Sequence, residues 1–290
     1  MNRRESLKSS VIGAGALFLN RMDNVPQLYS EDKLKNRIHH SVCYWTYNHM
    51  SLNELCVAVK KFGFLAIDLI GPKDWHILKI HGVDSSMCNG AEISLTQGWN
   101  EPSYHETLIK NYTEHINLIS KAGYKNLICF SGNRAGKDDE TGLENCVQGL
   151  KKVLSLAEKA GVILQMELFN SKIDHPDYMC DKSAWGIELC KRLDSPNFKL
   201  LYDIYHMQVS EGDIIRTIKD HHQYFGHYHT AGVPGRHEID ASQELNYPAI
   251  MKAILSTGYQ GYVAQEFMPT GKTNKEKLAA LQNAIKICDV

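Results

Sequence analysis

A repeated pairing of an amphipathic segment with an apolar run most constrains how this chain can fold. Four times a segment with helical periodicity ends at a glycine and an apolar run follows at once, at Gly63, Gly123, Gly161 and Gly258. Glycine is favoured just past a helix end because it adopts the left-handed conformation without a steric penalty from a Cβ atom. The pattern therefore predicts a regular alternation of helices and strands.

The segments before these glycines carry apolar residues on one helical face. Ser51 and Glu54 have the spacing of a capping box, which marks the start of the first of these helices. Apolar residues recur at helical spacing in three segments: Leu52, Leu55, Cys56 and Val59; Leu108, Tyr112, Ile116 and Ile119; and Leu143, Val147, Leu150 and Leu154. One apolar face per helix is suited to covering a sheet.

The strand candidates are short and apolar on both faces. We predict strands at 41–46, 65–70, 126–131, 162–169, 199–205, 225–230 and 261–267, with a weaker one at 85–89. Strands buried on both faces belong to a parallel sheet, and parallel strands need crossover helices. Eight such strands predict an α/β fold, a single-domain (β/α)8 TIM barrel at residues 38–290, preceded by a tail at residues 1–37.

The charge balance and the lack of nucleotide-binding motifs favour small-molecule chemistry. The 290 residues include 32 Lys and Arg and 33 Asp and Glu, which gives a net charge of -1. Nucleic-acid binding normally needs a basic surface, so we expect no nucleic-acid partner. No G-x-G-x-x-G or Walker loop opens a helix, so we expect no nucleotide cofactor. The eight cysteines are scattered, which is typical of buried apolar fillers.

The first residues have the order of an export signal. Arg3 and Arg4 precede a mildly apolar run at residues 9–19 that is too short to span a bilayer. This order predicts a twin-arginine signal and a periplasmic protein, although no A-x-A cleavage site follows. The alternative is a frayed N-terminal tail on a cytoplasmic protein.

Polar residues interrupt the ends of the last four predicted strands. They are Glu167, Asp203, His229 and Glu266. Active sites of α/β barrels gather at the carboxyl ends of the strands, and isolated buried carboxylates are costly unless they are paired or bind a metal. We therefore predict one divalent metal ion, Mn²⁺, Mg²⁺ or Co²⁺, with positions left open for substrate. Helix N-caps and loop ion pairs are the alternative roles.

Other polar residues near these strand ends are candidate substrate contacts. His206 follows Asp203 by three residues, Asn170 lies just past Glu167, and Arg236 lies in a glycine-containing loop after His229. An arginine there can clamp a substrate carboxylate with two hydrogen bonds. A structural histidine and an exposed loop arginine are the alternatives. Two aromatic residues follow the first strand, and we favour packing at the barrel rim over lining the pocket for both: Trp45 and Tyr47.

Four segments together resemble the hydroxypyruvate isomerase branch of the xylose-isomerase-like barrels. They are Met-Glu-Leu-Phe-Asn-Ser-Lys at 166–172, Leu-Tyr-Asp-Ile-Tyr-His-Met-Gln at 201–208, Gly-His-Tyr-His-Thr-Ala-Gly at 226–232 and Gln-Glu-Phe at 265–267. The resemblance is strong from about 162 to 270. It implies a metal site in which Glu167 and Glu266 also transfer protons, and an isomerase that interconverts hydroxypyruvate and tartronate semialdehyde through a cis-enediolate.

Two departures keep other activities open. Some hydroxypyruvate isomerases have Gln where this chain has His229, whereas related ketose 3-epimerases have His. Ile173 stands where those epimerases carry an acidic substrate contact. The alternatives are therefore a ketose 3-epimerase or other sugar isomerase, and a dehydratase acting on a cyclic polyol. Two further alternatives belong to other functional classes: a sugar-binding envelope protein without catalysis, and a metal-dependent endonuclease. The expected partner is a small keto acid or sugar, and homo-oligomers are not excluded.

Overall fold

Eight parallel strands close into a barrel in the order in which they occur along the chain. The computed structural model describes residues 34–290, and residues 35–290 form a compact unit. The strands are β1 (His39–Cys43), β2 (Ala66–Ile70), β3 (Asp84–Cys88), β4 (Asn126–Cys129), β5 (Ile163–Glu167), β6 (Phe198–Asp203), β7 (Phe225–Thr230) and β8 (Tyr262–Gln265). Strand β1 pairs with both β2 and β8, which closes the sheet without a free edge.

Helices connect consecutive strands and cover the outside of the barrel. They are α1 (Leu52–Phe62), α2 (Trp75–His81), α3 (His105–Ala122), α4 (Asp139–Ala160), α5 (Ser183–Leu193), α6 (Ile204–Ser210), α7 (Ile214–His221), α8 (Tyr247–Ser256) and α9 (Asn274–Cys288). One helix or helix pair follows each strand, with α6 as an additional short helix directly after β6. The predicted (β/α)8 barrel is therefore confirmed.

The local signals for helix ends act as predicted. Glu54 N donates to Ser51 Oγ at 3.3 Å, and Ser51 N donates to Glu54 Oε2 at 2.9 Å, which completes the capping box of α1. The four glycines that end helical segments all have positive φ. Because that conformation is strained for residues with a Cβ atom, the glycines allow each helix to turn directly into the next strand.

Several strands are shorter than predicted at their carboxyl ends. Strand β1 stops at Cys43, because Tyr44–Tyr47 form a 3-10 turn over the barrel mouth. Strand β5 stops at Glu167 although the apolar run continues to residue 169. Leu168 and Phe169 are still buried, but only Leu168 bonds to the neighbouring strand, at Leu201 O of β6, whereas Phe169 N donates to Cys180 O in a loop. Burial continues past the end of the sheet, so the apolar pattern overestimates strand length.

The cysteines and the N-terminal signal have different outcomes. All eight cysteines are free and buried, as the scattered spacing predicts. The predicted twin-arginine segment lies outside the described residues, and export stays a prediction. No helix in residues 34–290 is both long and apolar enough to cross a bilayer.

His40 is a buried histidine on the face of β1 that points away from the barrel axis. Its ring packs edge-on against Phe64, and within residues 34–290 neither ring nitrogen has a hydrogen-bond partner. The nearest carboxylate oxygen, Asp289 Oδ1, lies 4.0 Å from Nε2. Burial lowers the pKa of His40 to about 4 despite the opposing charge of Asp289. The folded protein therefore favours the neutral ring.

This burial predicts a pH-dependent stability. In the unfolded chain His40 binds a proton below about pH 6.5, whereas in the folded protein it does so only below about 4. Its contribution is fully present above pH 6.5 and is lost as the pH falls from there to 4, by about 3 kcal/mol in total. Urea unfolding at several pH values should therefore show a shallower acid loss for His40→Phe than for the wild type. Parallel pH profiles for the two proteins would contradict the assignment.

Candidate active site

Four side chains converge at the carboxyl ends of neighbouring strands. Glu167 ends β5, Asp203 ends β6, His229 lies one residue before the end of β7, and Glu266 directly follows β8. One ligand atom from each of the four lies within 4.8 Å of those of the other three, and all four residues are buried. Asp203 and His229 are direct partners in the β6–β7 register, so both point into the barrel at the same level. The structure thus brings together the four predicted metal ligands.

The contacts within this cluster alternate negative and positive groups. His229 Nδ1 lies 3.0 Å from Glu167 Oε1 and 2.8 Å from Glu266 Oε2. Arg236 Nη2 donates to Glu266 Oε2 at 2.5 Å and lies 3.4 Å from Asp203 Oδ2. Asp203 also caps α6, because its Oδ1 accepts from His206 N at 3.2 Å. Asp203 therefore caps α6 through Oδ1, while its Oδ2 faces Arg236.

Burial dominates the proton affinities of the cluster. It raises the pKa of Asp203 to about 8, because Arg236 offsets the loss of solvation only in part. Burial also raises the pKa of Glu167. It acts in the same direction on Glu266, but His229 and Arg236 hold the pKa of that carboxyl well below its usual value. For His229, burial acts to lower the pKa, and the surrounding acidic groups raise it well above the usual value instead. The excess of buried carboxylates therefore favours the binding of positive charge within this cluster.

The donor set fits a divalent cation. It offers three carboxylates and one imidazole nitrogen, a mixed oxygen and nitrogen set that suits hard to intermediate divalent ions. The carboxylates are buried, so their charge must be balanced within the barrel mouth. Arg236 provides one positive charge next to two of these carboxylates. A bound cation would supply the remaining compensation to the same oxygen atoms.

A folded-back loop places Arg236 over the cluster. Gly232 and His237 form an antiparallel bridge, and Met268 N donates to the carbonyl oxygen of Arg236 at 2.7 Å. Arg236 itself adopts a φ of 59°. A left-handed conformation is uncommon for a non-glycine residue and is maintained by surrounding contacts. The loop therefore directs the guanidinium inward, where only 9% of Arg236 remains exposed.

A cavity of about 540 Å³ opens beside the cluster. Glu167, Glu266 and Arg236 contribute to its wall, together with Trp45, Leu69, Ile128, Phe130, Phe169, His175 and the loop residues Asn89 and Glu92 to Leu95. Phe169 stacks on His175 at a centroid distance of 4.2 Å and on Phe130 at 5.7 Å. Polar groups thus lie at one part of the wall and stacked aromatic rings at another, as is common in small-molecule sites.

The two aromatic residues after β1 have different positions. Trp45 lines the cavity, and its Nε1 donates to Glu266 Oε1 at 2.7 Å. The prediction of simple rim packing was wrong for Trp45, because its indole N–H finds a carboxylate partner across the barrel mouth. Tyr47 is buried and packs edge-on against Phe267, as the packing prediction requires.

Two predicted substrate contacts lie beside the cavity rather than on its wall. His206 is buried, with Nε2 3.6 Å from Asp203 Oδ2 and Nδ1 2.7 Å from Asn170 Nδ2. Asn170 Oδ1 accepts from the backbone N–H groups of Ile173 and Asp174. The amide of Asn170 therefore shapes its loop and orients His206. Ile173, which stands where the related epimerases carry an acidic substrate contact, is exposed.

A second polar group lies deeper in the barrel and was not predicted. Asp68, in the middle of β2, is fully buried and accepts from His227 Nε2 at 2.9 Å and His229 Nε2 at 2.8 Å. Two sequence signals point to it. One is a carboxylate inside an apolar strand, and the other is a histidine two residues before His229, which places both rings on the same face of β7. Asp68 and His227 lie inside their strands rather than at strand ends, so the strand-end pattern does not select them.

Comparisons with known proteins agree on the fold and on a class of relatives. Residues 76–285 match the family described as Xylose isomerase-like TIM barrel. The 2-oxo-tetronate isomerase of Cupriavidus necator is 34% identical over 128 residues, which are 44% of this chain and 48% of that protein. The hydroxypyruvate isomerase of Escherichia coli is 26% identical over 222 residues, which are 73% of this chain and 85% of that protein.

A solved structure extends the similarity to most of the barrel. The structure titled AP endonuclease, family 2, from Brucella melitensis superposes with a TM-score of 0.73 at 24% identity, and the match covers 84% of this chain and 96% of that one. At this identity the likeness shows the fold alone. The matches to putative hydroxypyruvate isomerases of Xenopus laevis and Danio rerio, and to the isomerase of Cupriavidus necator, span about half the length of those proteins.

The geometry of Arg236 predicts a stability effect in metal-free protein. Arg236→Met should lower the free energy of unfolding by about 3 kcal/mol in buffer with a chelator, because Glu266 and Asp203 lose their buried cationic partner. Urea unfolding gives the measurement. The control is Arg216→Met, since Arg216 is exposed and its ion pair with Asp213 lies in solvent. Similar losses in the two variants would show that Arg236 does not stabilise the cluster.

Proposed function

This chain belongs to the xylose isomerase-like TIM barrel family, and from that premise we propose that it is an isomerase acting on a small α-hydroxy carbonyl sugar acid. The proposed reaction moves the carbonyl group to the neighbouring carbon, as between hydroxypyruvate and tartronate semialdehyde. The names of the two relatives, a hydroxypyruvate isomerase and a 2-oxo-tetronate isomerase, support this substrate class. The observation that carries the proposal is the convergence of Glu167, Asp203, His229 and Glu266 beside a cavity.

We propose that these four residues hold one divalent cation, Mn²⁺, Mg²⁺ or Co²⁺. Such a cation supplies polarisation of the carbonyl and hydroxyl oxygens of the substrate, which acidifies the C–H bond between them. Two of the ligands, Glu167 and Glu266, also line the cavity, so their carboxylates can reach the carbon atoms of a substrate bound there.

The proton transfers are assigned to these two glutamates. One of them removes the proton from the carbon that bears the hydroxyl group, which leaves a cis-enediolate of the substrate. Return of a proton to the adjacent carbon, together with transfer of the hydroxyl proton to the neighbouring oxygen, completes the isomerisation without net loss or gain of atoms. His206 lies next to Asp203 with Nε2 unpartnered within residues 34–290, so it can hold a substrate hydroxyl group after a small movement.

Arg236 is the proposed recognition element for the acid group. Of the side chains that line the cavity, all within the described part of the chain, Arg236 alone carries a permanent positive charge. Its buried Nε–H has no hydrogen-bond partner among the described residues. A carboxylate of the substrate would satisfy this donor and gain a charge-assisted hydrogen bond. Stacking of the guanidinium over Trp45, at 5.3 Å, keeps it on the cavity wall.

The role of Glu266 can be tested by solvent exchange. With hydroxypyruvate in heavy water and added Mn²⁺, Glu266→Gln should incorporate deuterium at least about 100-fold more slowly than wild type, because the amide cannot accept the proton. Deuterium is measured by mass spectrometry or by NMR after removal of the metal. Glu167→Gln, tested alongside, would identify which carboxylate acts first.

Two controls make this test specific. Glu244→Gln changes an exposed carboxylate bonded to Gln208 and should exchange at the wild-type rate. The metal content of each variant is measured, since Glu266 is also a ligand. Full exchange by a metal-loaded Glu266→Gln protein would remove this residue from the proton transfer.

The size of the cavity favours a second candidate, a ketose 3-epimerase or another keto-sugar isomerase. A three-carbon acid has about seven non-hydrogen atoms, which occupy roughly 210 Å³ even at the volume of liquid water. The cavity of about 540 Å³ leaves more than half of its space unfilled by such a substrate. The stacked rings of Phe130 and Phe169 provide an apolar wall for a longer carbon chain.

A substrate panel distinguishes the two candidates. If the acid group is recognised, kcat/KM for hydroxypyruvate and four-carbon keto acids should exceed that for uncharged keto sugars. Arg236→Met should then lower kcat/KM for the acids by about 100-fold, which corresponds to the loss of one charge-assisted hydrogen bond in a buried site. Faster turnover of keto hexoses, with little effect of Arg236→Met on them, would favour the epimerase.

A further inference from the structure

A buried carboxylate lies below the proposed cation site and contacts one of its ligands. Asp68 has no exposed surface, and its Oδ2 lies 2.8 Å from Nε2 of His229 and 2.9 Å from Nε2 of His227. Both histidines are also fully buried. The distances are those of good hydrogen bonds. His229 therefore contacts Asp68 through Nε2 and two other carboxylates, those of Glu167 and Glu266, through Nδ1.

The other oxygen of Asp68 is equally well occupied. Oδ1 accepts from the hydroxyl groups of Ser86 on β3 and of Ser41 on β1, the latter at 3.3 Å. Four nitrogen and oxygen donors from three strands thus surround one carboxylate on a fourth strand, and the thiol of Cys43 adds a weak contact to Oδ2 at 3.9 Å. Such a carboxylate is fixed in position and stabilised in its ionised form.

This arrangement determines which nitrogen of His229 carries the proton. An ionised carboxylate can only accept hydrogen bonds, so Nε2 of His229 must donate to Asp68. In the neutral ring, the lone pair is then on Nδ1. Nδ1 is also the nitrogen that faces Glu167 and Glu266, at 3.0 and 2.8 Å. The lone pair therefore points to the place where the four candidate ligands converge.

We propose that Asp68 is a positioning residue that fixes the tautomer and ring orientation of His229, so that Nδ1 binds the cation. The proposal rests on the proposed function, because it concerns a ligand of the same cation. Histidines that bind metals commonly donate their second N–H to a carboxylate, which raises their basicity and orients the ring. Cys43, Asp68 and His229 are also close enough to form a second ligand group. Since Nε2 of His229 is used as a donor to Asp68, we expect one cation per chain rather than two.

Metal binding by Asp68→Asn provides the main test. Asn has nearly the same size as Asp, but its amide is uncharged and has only one acceptor oxygen, so it cannot accept from the two histidines and from the two serines at once. We expect the Kd for Mn²⁺, measured by isothermal titration calorimetry, to increase by about 10- to 100-fold. The absorption spectrum of the Co²⁺ form should also shift, because the geometry at His229 changes. A role in folding alone would leave both readouts at their wild-type values in the folded variant.

Ser86→Ala is the matched control. It removes one donor to Oδ1 of Asp68 but leaves the contact between Oδ2 and His229. Its Kd for Mn²⁺ and its Co²⁺ spectrum should be close to those of the wild type. An Asp68→Asn protein that binds Mn²⁺ as tightly as the wild type, or a stoichiometry of two cations in the wild type, would overturn the proposal. A wild-type protein that binds no divalent cation would instead contradict the proposed function.

An NMR measurement keeps the proposal testable if Asp68→Asn does not fold. In wild-type protein loaded with diamagnetic Mg²⁺, long-range ¹H–¹⁵N spectra of the imidazole rings report which nitrogen carries the proton. His229, assigned by its loss in His229→Gln, should be protonated at Nε2 and not at Nδ1. Protonation at Nδ1 in the loaded protein would show that Asp68 does not set the tautomer.

Discussion

Three carboxylates are withdrawn from water at the mouth of a closed barrel, and the structure around them compensates for that desolvation. Glu167, Asp203 and Glu266 are each at most 3% exposed. The repulsion among them is offset by His229 within the cluster and by Arg236 above it. The loop geometry that turns Arg236 inward and the indole N–H of Trp45 on Glu266 serve the same purpose. This charge arrangement is the basis for the proposals that the cluster binds a divalent cation and that Arg236 binds the acid group of the substrate.

The two halves of the barrel contribute differently to the site. Strands β5 to β8 present the four candidate ligands, whereas β1 to β3 supply Ser41, Asp68 and Ser86, which support one of those ligands from below. The stacked phenylalanine rings of the cavity wall, Phe130 and Phe169, follow β4 and β5. The proposed proton transfer, the orientation of the proposed ligand and the volume for the substrate therefore involve different residues, so the cavity wall could change without a change in the proposed cation site.

The sequence predicted what depends on local pattern. The barrel, the glycine helix ends and the capping box at Ser51 follow from periodicity and turn chemistry, and the bounds of β7 match the predicted 225–230. Strand ends were less accurate at β1 and β5, because burial under loops resembles burial in a sheet. The four converging residues could be selected because consecutive strands of a barrel are neighbours. The contacts of Trp45 and Asp68 could not, since their partners lie 221 and 161 positions away along the chain.

The hydrogen bonds of Asp68 connect strands from opposite sides of the closed sheet, and this has a consequence for how activity is acquired during folding. A fragment ending before β7 would lack His227 and His229, and one beginning after β3 would lack the carboxylate that orients them. A half-barrel therefore cannot contain a preorganised ligand set. The cation affinity proposed for this site should therefore emerge only once β2 and β7 lie in the same closed sheet.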